Sequence, residues 1–179
     1  MIEAVHTAIA TRHGIARAHP ETRVREVATY AWGAALNFSA GGNAQPFLGP
    51  GWSEPEPTAC WTSGTSAEVH LRVRPMEGTD LILTAQLSPL VSAQTPAQLV
   101  RISINGAPTG QWSVSSPGLQ HTMIFARHLS GLDRLSLRFD LPRAFSPQAH
   151  GLSADPRLLA VSFQQLTLRP VNPSNLFAS

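Results

Sequence analysis

The residues of this chain that could carry out chemistry are seven histidines, eleven carboxylates and one cysteine, Cys60. Their spacing excludes most reactions. A metal site on neighbouring strands needs a His-x-His pair with a carboxylate and a later histidine, and no His-x-His occurs. His70 falls on the polar side of an alternating stretch and reads as a solvated residue. His121 shares a face with Leu119, Met123 and Phe125 and reads as a satisfied histidine in or near the core. His6, His13 and His19 lie in an N-terminal stretch of helical pattern, a poor setting for a metal. A nucleophile elbow, a dinucleotide-binding glycine loop and a phosphate loop are all missing, and the last cannot be built without lysine, which the chain lacks. No metal and no cofactor are expected.

Two carboxylates suffice for glycoside hydrolysis, which makes Glu54, Glu56, Asp140 and Asp155 the acids to weigh. So few acids argue against catalysis, and no enzyme activity is expected. The segment from Phe47 to Trp61, FLGPGWSEPEPTACW, is more informative. Two tryptophans bracket an acidic loop stiffened by proline. Trp52 or Trp61 offers a flat apolar face for a sugar ring, with Glu54 or Asp155 accepting hydrogen bonds from hydroxyls and Arg157 donating them. The alternative is that both tryptophans close the end of a core, with Glu54 tying down a loop amide or pairing with Arg157.

These residues need a scaffold, and the pattern along the chain supplies one. Ile2, Val5 and Ile9, then Val24, Val27, Ala28 and Ala31, follow helical spacing and predict one or two short helices within residues 1–33. From Leu36 the period becomes two. Ala67, Val69, Leu71 and Val73 alternate with Glu68, His70, Arg72 and Arg74, the pattern of a half-buried strand. The same alternation returns at Leu81 to Leu87, Val100 to Ile104, Leu135 to Leu141 and Leu159 to Phe163. Between Phe163 and Leu166 the apolar phase slips from odd to even positions, which predicts a β-bulge or a strand crossing between sheets. Asn105-Gly106 marks a turn, with Pro108 and Gly110 suggesting a connection longer than two residues. Eight to ten short strands with regular turn signals predict an all-β protein, a two-sheet antiparallel β-sandwich of jelly-roll type over residues 34–170, followed by a tail at 171–179.

Composition narrows the partners. At 179 residues and 42% apolar content the chain can fill one core. The pI near 9.5 follows from thirteen arginines facing eleven carboxylates with no lysine and one tyrosine. The arginines are scattered, so no nucleic-acid footprint is expected. One cysteine cannot form an internal disulfide. No stretch reaches the length of a membrane span and no signal-peptide pattern opens the chain, which gives a cytoplasmic expectation.

Several segments resemble a known pattern: LNFSAGG from Leu36, GWSEPEPTACWTSGTSAEVHLRV from Gly51, INGAPTGQW from Ile104, and Phe139 to Leu168 with FSPQAHGLSADPRLLAVSFQQLTL. Gly-Trp-Ser-x-Pro-Glu precedes Trp-Thr-x-Gly, and Ser-Pro precedes Ser-x-Asp-x-Arg, in order and at the expected separation. Over Tyr30 to Arg169 the chain resembles the β-sandwich accessory domains that sit beside bacterial glycosyltransferases and at the C-terminal end of phosphoglycerol transferases. The resemblance implies a jelly-roll module without chemistry of its own, associated with envelope polysaccharide synthesis. Its marked positions map onto Trp52, Glu54, Trp61, Asp155 and Arg157. The chain departs from it at Ala59-Cys60 and Leu159-Ala160, where glycine is usual before the second tryptophan and after the leucine.

Two functions follow as expectations. One is a carbohydrate-binding module that works by stacking and hydrogen bonding. The other is a structural domain that docks a glycosyltransferase-like enzyme or forms a homo-oligomer through a sheet face.

Overall fold

The structure is a computed structural model that describes residues 28–129 and 131–171. The strands are β1 (Ala35–Asn37), β2 (Cys60–Ser63), β3 (Ser66–Arg72), β4 (Leu81–Pro89), β5 (Gln98–Ile104), β6 (Ala107–Val114), β7 (Gly118–Ile124), β8 (Arg134–Asp140) and β9 (Leu159–Pro170). They form two antiparallel sheets. One has the order β1-β9-β4-β7, with β2 beside β1 along the same edge of β9, and the other has the order β3-β8-β5-β6.

The order has a simple origin. β2 pairs with β9, β3 with β8, β4 with β7 and β5 with β6, so β2 to β9 form one long antiparallel hairpin rolled into two layers. That is a jelly roll. The tip of the hairpin is Asn105-Gly106, and Ile104 pairs directly with Ala107. The connection is therefore two residues long, shorter than the sequence suggested. Both turn residues have positive φ, 48° and 83°, as the mirror-image turn that matches strand twist requires. Pro108 is accommodated because β6 is an edge strand and its register against β5 shifts between Ile102 and Ser103.

The alternation of each strand decides which side is buried. Val69, Leu71, Leu83, Leu87, Ile102, Leu137 and Phe139 point between the sheets. At the centre the Phe163 ring, fully buried, lies 5.0 Å from Phe139 of the opposite sheet and 5.4 Å from Phe38. Trp112 extends this aromatic row, 6.1 Å from Phe139, and its indole N–H donates to the His121 carbonyl at 3.1 Å, linking the two sheets where β6 meets β7.

The edge of β3 is covered. Gly49 donates to the Glu68 carbonyl at 2.9 Å and Glu68 donates to the Pro50 carbonyl at 3.0 Å. Further along, the Tyr30 amide donates to the Arg72 carbonyl at 2.7 Å. These bonds occupy groups that would otherwise recruit another strand. They also correct the predicted helix at its C-terminal end, because Thr29 forms a parallel bridge to Arg72 and Tyr30 is buried in the sandwich core. The rest of the helical prediction, within residues 1–27, and most of the predicted tail, residues 172–179, lie outside the described residues. Among the described residues no helix is long and apolar enough to cross a membrane.

Removing the ring at the meeting point of the sheets, Phe163→Ala, is expected to lower stability by about 3–5 kcal/mol. Gly106→Val, at a left-handed turn position, is expected to cost about 1–2 kcal/mol. Urea titration followed by circular dichroism measures both, and equal effects would contradict this ranking of core over turn.

Candidate functional site

The outward face of the five-stranded sheet carries an unusual set of side chains. Antiparallel register places partners side by side on one face. Ile82 of β4 sits between Arg169 of β9 and Met123 of β7, Thr84 between Thr167 and His121, and Gln86 between Gln165 and Leu119. On the far edge of β9, Ala35 and Asn37 of β1 continue the last two rows. Thr84, Gln86, Leu119, Gln165, Thr167 and Arg169 line an open hollow of about 270 Å³. Its walls are hydroxyls, primary amides, one guanidinium and one exposed leucine.

The phase slip in β9 builds this face. Gln86 pairs with Gln165 and Leu87 with Phe163, so Gln164 is an extra residue, a β-bulge as the sequence predicted. Before the bulge Phe163 points inward. At the bulge Gln164 turns its amide outward to donate to Ser88 Oγ at 3.1 Å, and Gln165 follows it onto the same face. The sheet thus shows two neighbouring amides where regular alternation allows one. Beyond the bulge Trp61 of β2 pairs with Ser162, which pairs with Ser88, so the half-buried Trp61 ring stands at the end of this face.

The outward face of the other sheet is charged. Arg138 donates to Asp140 at 2.8 Å and to Glu68 at 2.9 Å, and His70 lies 3.4 Å from Glu68. His70 is on the polar face, as the alternation indicated.

The residues singled out from sequence separate into two groups. Trp52 belongs to the core edge: its ring centre is 5.0 Å from both Phe38 and Phe163, and its indole N–H donates to the Glu68 carbonyl at 2.7 Å. Gly51, at φ 89°, allows that approach, since a Cβ there would collide with the Ser66 carbonyl. Trp61 faces outward. Asp155 and Arg157 clamp each other, with the guanidinium donating to Asp155 at 2.5 Å and the Arg157 amide donating at 2.9 Å. The guanidinium holds the Asp155 carboxyl below the usual carboxylate range. Arg157 therefore pairs with Asp155 and not, as one reading had it, with Glu54, which is exposed in its loop. Asp140 is on the opposite sheet, engaged by Arg138. The departures at Ala59-Cys60 and Leu159-Ala160 are absorbed by packing, all four residues being buried.

His121 needs correction. It is exposed, as are Leu119 at 66% and Phe125 at 44%. On β7 it is Ile124 that is buried in the core and Thr122 that packs close against Gly110 of β6, so the alternate set with Leu119, His121 and Met123 falls on the outward face. Among the described residues no group of three or more histidine, cysteine, aspartate or glutamate side chains is placed to hold a metal. Sequence reading missed Thr84, Gln86, Gln165 and Thr167. The available signal was that the polar positions of two long alternating strands are almost all uncharged.

No protein-family model matches the chain, and no curated protein does. Among solved structures it is similar to a family GH115 4-O-methyl-alpha-glucuronidase with specificity for decorated arabinogalactans, at 14% identity over 81% of this chain and 18% of that one, with a TM-score of 0.48. The chain thus spans less than a fifth of that enzyme's length. It is also similar to CsCBM6-3 from Clostridium stercorarium in complex with cellobiose, at 11% identity over 80% of this chain and 98% of that one, TM-score 0.45. A third similar structure is the CBM36-1 domain of a multidomain xylanase from the hindgut metagenome of Trinervitermes trinervoides, at 13% identity over 78% and 98%, TM-score 0.41.

Trp52→Phe keeps a ring in the core but removes the bond to Glu68, whose carbonyl still accepts from Gly49, so a loss of about 1 kcal/mol is expected in thermal melts. Burial pushes the Cys60 thiol up, and it donates to the Ser53 carbonyl at 3.1 Å. A thiol reagent at pH 8 should leave Cys60 unmodified in the native protein and modify it once urea unfolds the chain. Rapid native labelling would show that the β2 edge opens.

Proposed function

We propose that this chain is a non-catalytic glycan-binding module whose ligand lies along the outward face of the five-stranded sheet. The observation that carries this reading is the hollow walled by Thr84, Gln86, Gln165, Thr167 and Arg169, with Leu119 exposed beside it. Sugars present hydroxyls around a ring edge and C–H groups on a ring face. Amides and hydroxyls both donate and accept, so they satisfy hydroxyls in either sense. The exposed apolar carbons of Leu119, with the Trp61 ring further along the face, suit the C–H surface. The outward face of the opposite sheet, by contrast, carries charged pairs.

The site is open and shallow. Each hydrogen bond contributes about 0.5–1.5 kcal/mol net, so affinity for an oligosaccharide in the micromolar to millimolar range is the natural scale. Such a module gains most from being tethered beside an enzyme acting on the same polymer. In that setting the module serves bacterial envelope polysaccharide synthesis, next to a glycosyltransferase. A different reading, docking or self-association through the sheet, is favoured by the exposed Leu119 and Phe125 of the β7 edge.

Gln86→Ala combined with Gln165→Ala is expected to weaken binding of soluble polysaccharides by about fivefold to a hundredfold, the loss of two such hydrogen bonds. The melting temperature should hardly change, because both side chains are on the surface. Affinity electrophoresis across a polysaccharide panel measures the first and calorimetry the second. Unchanged retardation of the double variant, or no retardation of the wild type on any glycan, would contradict the proposal. In the latter case a concentration-dependent mass in light scattering, abolished by Leu119→Ser, would establish the docking reading.

A further inference from the structure

We propose that the glycan bound on this face is acidic, carrying uronate carboxylates, and that Arg169 is the residue that recognises them. The inference rests on the glycan-binding reading above and adds the chemical class of the sugar.

The outward face of this sheet has a positive group and no negative one among its paired rows. Across its rows the outward residues are Ile82, Thr84 and Gln86 on β4, Gln165, Thr167 and Arg169 on β9, and Leu119, His121 and Met123 on β7, none of them a carboxylate. Arg169 is exposed and lines the hollow. Among the described residues no carboxylate lies within 4.0 Å of it, whereas Arg138 and Arg157 each have such a partner. Asp80, two residues before Ile82, turns its carboxylate to accept from the Ala126 amide at 2.7 Å. A guanidinium in a hollow of neutral donors and acceptors is poised for an anion. Its forked donors match a carboxylate in two parallel hydrogen bonds, stronger than bonds between neutral groups.

The neighbours suit a sugar acid better than a free anion. Thr167 and Thr84 stand in the next row and Gln165 and Gln86 in the row after. From Arg169 to Gln165 the strand advances roughly 13 Å, longer than a disaccharide. A uronate residue with its carboxylate on Arg169 therefore leaves the next ring over the threonines and amides. A neutral glycan would leave the guanidinium with hydroxyl partners alone.

The test compares oligogalacturonate, oligoglucuronate and oligomannuronate with their carboxyl-reduced counterparts of the same length, by calorimetric titration of the full chain and of Arg169→Gln. The expected result is that at least one uronate binds about tenfold or more tighter than its reduced form, with the preference shrinking as NaCl is raised. In Arg169→Gln the two forms should bind alike, at the affinity the wild type shows for the reduced one. Arg169→Lys, which keeps the charge and loses the fork, should restore part of the preference. Equal binding of acid and reduced forms by the wild type would overturn the inference while leaving the glycan reading standing. A preference that persists in a folded Arg169→Gln would overturn the role of Arg169. Binding of neither form, together with no retardation on any neutral polysaccharide, would remove the glycan reading and this inference with it.

Discussion

The contact between Phe163 and Phe139, rings 5.0 Å apart across the gap between the sheets, is where the rolled hairpin closes on itself. β9 is the last strand of the roll, and on it β1, β2 and β4 all pair. Its inward side therefore has to reach the core from the middle of a sheet. Phe163 does so with Phe38 and Trp52 packed around it, the latter held by its bond to Glu68 on the other layer. The FLGPGWSEP segment is best understood from this contact: it brings Trp52 to Phe163, covers the edge of β3 through Gly49 and Pro50, and leaves Glu54 in solvent.

The same strand has a second constraint, and the bulge reconciles the two. Phe163 must face inward and so must Leu166 and Leu168, three buried positions that no period of two can satisfy. The extra residue at Gln164 resets the phase. Its by-product is a pair of adjacent amides on the outward face, next to the threonines of β4 and β9. Core packing and the polarity of the candidate site are thus set by one insertion in one strand. The two outer faces consequently differ in kind: ion-paired on the sheet that ends at β3, and lined by hydroxyls and amides around Arg169 on the sheet that contains β9.

How far the sequence conveys this varies with how local the cause is. The strands around Val69, Leu83, Ile102 and Leu137 are legible because each is buried on one side only, and the bulge is legible as a broken alternation. The turn at Asn105-Gly106 is legible in type but not in length, because Pro108 is accommodated by an edge strand and a register shift that only strand pairing reveals. His121 is misread for a related reason. Alternation says which residues share a face and not which face is buried, and on β7 the buried set is the one with Ile124 in the core and Thr122 against Gly110, which leaves His121 outside. Gln86, Thr84, Gln165 and Thr167 come from strands more than seventy residues apart, so nothing local marks them as neighbours. Trp61 and Trp52 look equivalent in the sequence; their opposite orientations follow from the pairing of Trp61 with Ser162 and the turn at Gly51.

The most direct test of the proposed site is an NMR titration of the isotope-labelled chain with a uronate oligosaccharide, following backbone amides and the glutamine side-chain amides. The account predicts shifts concentrated on Gln86, Gln165, Thr167 and Arg169 and on their β7 neighbours, with the side-chain amides of Gln86 and Gln165 among those that move. Saturable shifts centred instead on Glu54, Asp155 and Arg157 would place the site in the loops and contradict it.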